Sequence, residues 1–292
     1  MKQALTGILP PVTMPFDATG RLQSDAIAGQ IKWILDSGAD AVVAGGSTGE
    51  GHALNDAEFR EAMLATHEAV EGRKPFVAGL IVNSTLEAIE RVKLLEGTKV
   101  DALQVTPVHY LFKPDADATV EHFRRIWDEC GIPILIYNVI PWNYLSADLM
   151  LRIMDEVPGV IGMKQSSGDL KSLSDLVQRA KPDNIVLSGI DALLYSAFSL
   201  GADGAISALT SALPGVTSEL FLLTRKGKHA EALEIHWKLN SLWNVLRHDN
   251  LPACVKYIQH CQGQPMYGPR APMEEVTSAQ KQAIDTALKA LI

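Results

Sequence analysis

Eight short runs rich in Val, Ile and Leu punctuate the chain, at residues 8–16, 41–46, 75–80, 102–107, 133–138, 160–165, 184–189 and 201–207. Their interiors are apolar at consecutive positions, as in AVVAGG, PILIYN and NIVLSG, instead of alternating with polar residues. A strand of that composition has no face to offer water and must lie between two apolar layers, as a covered parallel strand does. Helix signals separate the runs. Ser24 is placed to cap a helix ending before Gly38, Asn55 stands three residues ahead of Glu58, Ser84 three ahead of Glu87, and Ser146 opens another. Eight strand-then-helix units predict an α/β fold closed as a (β/α)8 TIM barrel, because an open sheet would leave apolar edges unprotected. The seventh unit is the tightest, since its helix must fit within residues 192–200.

Beyond about residue 225 the strand signal stops. Helical periodicity continues through 229–246 and 252–261, and Thr277 with Gln280 three residues on opens a last helix after a loop at 262–272. The predicted division is a catalytic (β/α)8 barrel over residues 1–225 and an appended C-terminal helical region over 226–292.

Composition removes several classes of function. The 292 residues carry a formal charge of −8 with no dense Lys/Arg run, so a phosphate-binding face for nucleic acid is not expected. Pro10 and Pro11 interrupt any signal-peptide core, and no apolar run approaches the ~18 residues of a membrane helix; a cytoplasmic location is expected. The three cysteines, Cys130, Cys254 and Cys261, form no C-x-x-C pair and read as buried core thiols. The eight histidines show no H-x-H or H-E-x-x-H spacing, so no metal site is expected.

In a barrel the C-terminal strand ends carry the chemistry. The second run ends in Gly45-Gly46-Ser47-Thr48-Gly49-Glu50-Gly51, the fifth in Tyr137-Asn138, and the sixth in Met163-Lys164-Gln165-Ser166-Ser167-Gly168-Asp169. The glycine-rich turn could cradle a small carboxylate with its N–H groups and hydroxyls, or be no more than a tight turn. It is not a P-loop, since Glu50 stands where the lysine should be and would repel phosphate. Lys164 ends a strand whose inward positions face a packed interior. Desolvation there lowers a lysine's pKa and makes its amine a nucleophile for a carbonyl, although a strand-end lysine can also snorkel to solvent. Tyr137 is either core or, beside such a lysine, a proton shuttle.

At these strand ends the chain resembles the N-acetylneuraminate lyase and dihydrodipicolinate synthase family of class I, pyruvate-handling barrels. The likeness spans nearly the whole chain. It runs from Thr13-Met14-Pro15-Phe16 through Gly46-Ser47-Thr48-Gly49-Glu50, Thr106-Pro107, Tyr137-Asn138 and the Lys164 segment to Ser188-Gly189, residues 201–207 and the R-x-P of Arg270 to Pro272. The resemblance implies that Lys164 forms an imine with pyruvate or a related 2-oxo acid and that Tyr137 is the general acid/base. Ser47 and Thr48 would hold the carboxylate, Thr48 also relaying protons, with Gly189 and Ile206 lining the pocket. Tyr110, or the adjacent His109, would complete the relay from a neighbouring subunit of a homotetramer built as a dimer of dimers. No cofactor is implied, because the protonated imine is itself the electron sink.

Departures from the pattern bear on the substrate. The synthase branch carries an Arg shortly after Y-N-x-P, whereas this chain reads Tyr137-Asn138-Val139-Ile140-Pro141-Trp142-Asn143-Tyr144. The sialate branch places Asp-Glu where this chain has Asp191-Ala192. His109, Trp142, Asn143, Asp191 and Ser207 are therefore the candidate specificity residues. The aromatic loops around them suggest a second substrate less polar than a long sugar, or a short 2-keto-3-deoxy acid, or else they pack a subunit interface. The expected activity is a Schiff-base lyase that cleaves or forms a C–C bond, or dehydrates, next to a pyruvate unit. The alternatives are dihydrodipicolinate synthase proper and a non-catalytic 2-oxo-acid-binding relative.

Overall fold

A computed structural model describes residues 5–108 and 110–292. Eight strands, β1 (Gly7–Ile8), β2 (Val42–Ala44), β3 (Phe76–Leu80), β4 (Ala102–Val105), β5 (Ile134–Asn138), β6 (Val160–Gln165), β7 (Ile185–Ser188) and β8 (Gly204–Ala205), form one parallel sheet. Its order is β1-β8-β7-β6-β5-β4-β3-β2. A parallel bridge between Pro11 and Val43 joins the first element to β2, with Val12 N donating to Val43 O at 2.8 Å, and completes the (β/α)8 barrel.

The helices between strands are α1 (Ile27–Asp36), α2 (Asp56–Val70), α3 (Thr85–Lys93), α4 (Ala116–Cys130), α5 (Ala147–Glu156), α6 (Leu170–Arg179) and α7 (Leu194–Leu200). After β8 come α8 (Ala208–Ala212) and α9 (Pro214–Arg225), then α10 (His229–Leu246), α11 (Leu251–Cys261) and α12 (Ser278–Leu288).

The doubly apolar strands divide their side chains between two layers. Val43, Val77, Ala102, Leu135, Ile185 and Leu187 fill the barrel interior, while Val42, Ala44, Leu103, Ile134 and Ile136 pack outward against α1–α6. The C-terminal helices enclose a third apolar cluster that takes in Ile8 and Ala205 of the barrel.

The expected caps at Asn55, Ser84, Ser146 and Thr277 are present, those at Asn55 and Thr277 as reciprocal capping boxes. Four expectations are corrected. Ser24 opens a single 3₁₀ turn and spends its hydroxyl on Glu61 at 2.5 Å instead of capping α1. The first run is strand only at Gly7–Ile8, because Pro10 and Pro11 cannot donate to a ladder. The last run keeps only Gly204–Ala205. Among the cysteines only Cys254 is buried; Cys130 is half-buried and Cys261 exposed.

Candidate active site

The C-terminal ends of β2, β5 and β6 converge. Tyr137 on β5 and Lys164 on β6 are register partners, their side chains on the same inward face. This pairing depends on one extra residue in β6. Ile134 pairs with Val160 but Leu135 with Gly162, so Ile161 bulges and shifts the register by one. Without the bulge, Tyr137 would pair with Met163, and Lys164 would point away from the barrel interior.

Lys164 is buried, with Nζ 4.1 Å from the centroid of the Tyr137 ring. The buried Tyr137 hydroxyl donates to Ser47 Oγ at 2.9 Å, joining the β5 end to the turn after β2. That turn is compressed. Gly45 adopts φ 80°, and a Cβ on Gly51 would lie 2.0 Å from Gly45 O, so larger residues would unfold it. Ser47 and Thr48 stand half-buried on it. Gly189, at the end of β7, backs the lysine: a Cβ there would sit 2.8 Å from Lys164 Cε and 2.1 Å from Ser166 Oγ. Ile206 belongs to the barrel-interior cluster, its N–H donating to Ser188 O at 2.9 Å.

The candidate specificity residues separate into two groups. Asn143 is buried and donates to Val108 O at 2.6 Å, tying the loop after β5 to the loop after β4. Asp191 is buried and accepts from Leu209 N at 2.6 Å, while Ser207 caps α8 through Thr210 N, so both hold the start of that helix. Burial pushes the Asp191 carboxyl up, against the pull of those hydrogen bonds and of the nearby Lys164. Trp142 and Tyr110 are exposed, at 63% and 70%, as are Leu111, Phe112 and Tyr144 on the same two loops. Tyr110 thus stands at the surface of its own chain. His109 lies outside the described residues.

The expected role of Glu50 is corrected. Held at φ 55°, it turns away from the cleft and lies fully buried, accepting from Lys256 Nζ of α11 at 2.6 Å and from Arg270 N at 2.8 Å. Arg270 in turn clamps Glu58 and packs 4.2 Å from the Phe16 ring centroid. Helix α11 and the loop after it therefore brace the turn that carries Ser47 and Thr48.

Residue spacing did not single out Ser166, whose Oγ is buried beside Gly189 with no hydrogen-bond partner among the described residues. Asn138 and Gln165 are scaffold: Asn138 Nδ2 donates to Gln165 Oε1 at 3.0 Å and to Leu145 O at 3.1 Å. No group of three or more His, Cys, Asp or Glu among the described residues is arranged to hold a metal ion. None of their helices is long and apolar enough to cross a membrane.

Residues 4–291 match the model of the Dihydrodipicolinate synthetase family. The chain belongs to that family. Among curated members it is 33% identical over 290 residues to the 4-hydroxy-tetrahydrodipicolinate synthase of Bradyrhizobium diazoefficiens, covering 98% of this chain and 97% of that one. It is also 33% identical over 273 residues to the enzyme of that name from Pseudomonas aeruginosa, covering 92% of each. In structure it superposes on the dihydrodipicolinate synthase of Aquifex aeolicus with a TM-score of 0.91 at 29% identity, over 98% of both chains. YagE, a prophage protein of this family from E. coli K12 solved with pyruvate, gives 0.92 at 26% identity, again over 98% of both chains. As a member of the dihydrodipicolinate synthetase family, this chain is a lyase-type enzyme.

Proposed function

We propose that Lys164 forms the imine with the oxo carbon of pyruvate or a related 2-oxo acid, with Tyr137 as general acid/base. The neutral Nζ adds to the carbon; the oxo oxygen gains two protons and leaves as water, giving the protonated imine. The imine then draws in the electron pair freed when a proton or a carbon substituent leaves C3, and the resulting enamine is reprotonated or bonded in the reverse sense. Ser47 and Thr48 receive the carboxylate, and the Tyr137 hydroxyl moves protons along its bond to Ser47. The observation that carries this reading is the unit itself: Lys164 Nζ 4.1 Å from the Tyr137 ring, whose hydroxyl lies 2.9 Å from Ser47 Oγ. The pyruvate-bound relative YagE favours the same ligand class.

Tyr110, Leu111, Phe112, Trp142 and Tyr144, exposed on the loops after β4 and β5 that Asn143 ties together, have the apolar and aromatic character of a surface that a second copy covers, supporting a homo-oligomer in which Tyr110 enters a neighbour's site. No arginine lies between Tyr137 and Leu151, which favours a second substrate with no carboxylate for that loop to bind, or a short 2-keto-3-deoxy acid. The names of the curated relatives favour a second reading, 4-hydroxy-tetrahydrodipicolinate synthase proper.

Intact-mass spectrometry after incubation with pyruvate and borohydride tests the imine. A single reduced adduct, lost in Lys164→Ala, is expected; a folded wild type that no 2-oxo acid traps would refute it. Steady-state comparison tests the second substrate: selective cleavage of N-acetylneuraminate over shorter 2-oxo acids would overturn the short-substrate reading.

A further inference from the structure

Gln104 is the middle of β4 in a segment, Ala102-Leu103-Gln104-Val105, that is otherwise apolar. Alternation turns Leu103 and Val105 outward to the helices and Ala102 into the barrel, so Gln104 also points inward. Its neighbours across the sheet are Gly79 on β3 and Leu135 on β5, two positions before Tyr137 on the same face. Gly79 offers no side chain, and the Gly45-Gly46 backbone folds into the space: a Cβ on Gly79 would lie 2.8 Å from Gly46 N. The amide of Gln104 fills what remains, with Nε2 3.6 Å from where a Gly46 Cβ would be. It lies against the turn whose next two residues are Ser47 and Thr48.

This amide is fully buried, and neither Nε2 nor Oε1 has a hydrogen-bond partner among the described residues. Buried amides are rarely left so, because each unmet polar atom forfeits its hydration with nothing in return. Leucine or methionine would fill the same interior position without that cost. A buried polar group with neither atom partnered, lying against the turn that carries Ser47 and Thr48, is explained when the ligand brings its partner.

We propose that Gln104 is a substrate-binding residue, its Nε2 donating from the barrel floor to the carboxylate of the 2-oxo acid held by Ser47 and Thr48. The inference rests on the Schiff-base reading for its ligand class. It assigns a distinct task, however: Gln104 recognises the carboxylate and takes no part in imine chemistry. It raises affinity for 2-oxo acids over aldehydes and ketones that lack the acid group.

Two variants and two ligands test it. Gln104→Met keeps the length and removes both idle atoms; Gln104→Glu opposes a second negative charge to the ligand. For pyruvate, the half-saturating concentration in borohydride trapping and the steady-state KM should rise about ten-fold or more in Gln104→Met, the loss expected for a hydrogen bond to a charged acceptor. The maximal rate should stay within a few-fold, and urea stability should be equal or higher. Gln104→Glu should bind still more weakly. Lactate carries the carboxylate without an oxo carbon, so its Kd by calorimetry should rise by the same factor in Gln104→Met. Unchanged pyruvate half-saturation and lactate Kd in a folded Gln104→Met would overturn the proposal while leaving imine formation at Lys164 intact. Absence of lactate binding to wild type would overturn it as well. Failure of wild type to trap any 2-oxo acid, with lactate binding still dependent on Gln104, would instead refute the imine reading and leave this one standing.

Discussion

Replacing Lys256 with methionine removes one half of the buried ion pair that braces the turn after β2. Lys256 and Glu50 are 3% and 1% exposed, and their charged atoms are 2.6 Å apart. Methionine keeps most of the aliphatic volume, so the perturbation is electrical: the Glu50 carboxylate is stranded in the interior with the Arg270 N–H as its remaining partner at 2.8 Å. Removing one member of such a pair costs about 3–5 kcal/mol, because the other charge stays desolvated and uncompensated. Burial already pushes the Lys256 amine down in spite of Glu50, which shows how heavily desolvation weighs at this point. Urea denaturation of Lys256→Met should therefore show a loss of that order. The double variant Glu50→Gln/Lys256→Met, which leaves no stranded charge, should recover at least half of it. Because Glu50 N donates to Ser47 O at 3.0 Å, the single variant should also raise KM for pyruvate several-fold with kcat little changed. A stability loss under about 1 kcal/mol, or a double variant no more stable than the single one, would refute the argument that this pair holds the turn.

Tyr137→Phe deletes the hydroxyl that donates to Ser47 Oγ and should lower kcat by about 10²–10⁴ while borohydride still traps pyruvate on Lys164; full activity would remove Tyr137 from the proton path. Gly189→Ala places a Cβ 2.8 Å from Lys164 Cε, so the lysine must shift and trapping should slow by about a hundred-fold, with circular dichroism reporting an intact fold; unchanged trapping kinetics would refute the close packing. Burial pushes the His122 imidazole from 6.5 down to about 4. Between those values the unfolded chain binds a proton that the folded chain refuses, so stability conferred by the neutral ring is complete above pH 6.5 and is lost as pH falls toward 4, by about 3 kcal/mol in all. His122→Asn, which does not titrate, should flatten that part of the stability–pH curve, and a wild-type-minus-variant difference independent of pH would count against it.

Much of the architecture was legible because it is local or periodic. A strand apolar at consecutive positions has to be covered twice, and Val42 and Val43 do face opposite layers. The caps at Asn55, Ser84, Ser146 and Thr277 depend on a residue and its third neighbour, so spacing alone found them. Ser24 failed because Glu61, distant in sequence, competes for its hydroxyl. Glu50 was misread for a similar reason: its direction is set by Lys256 and Arg270, more than 200 residues away. Burial of a cysteine depends on which helix face the fold covers, and Cys261 at the end of α11 falls on the uncovered side.

The site shows most directly where spacing runs out. Lys164 and Tyr137 are each unremarkable as strand-end residues, and what joins them is the position of Ile161 outside the regular ladder. In an unbroken pairing, Ile134 opposite Val160 would carry forward to Tyr137 opposite Met163, and the side-chain period of two would send the lysine to the helix layer. The bulge spends one residue to invert that parity midway along β6, after the strand has begun its ladder and before the chemistry begins. Gly162 follows it, and a Cβ there would lie 2.2 Å from Ile185 O, so the backbone of β6 is drawn against β7 just where it recovers its register. The segment Val160-Ile161-Gly162-Met163-Lys164 thus encodes more than an apolar strand with a charged end. Its isoleucine and glycine are what turn the lysine inward, and a pattern of hydrophobicity cannot distinguish them from ordinary core residues.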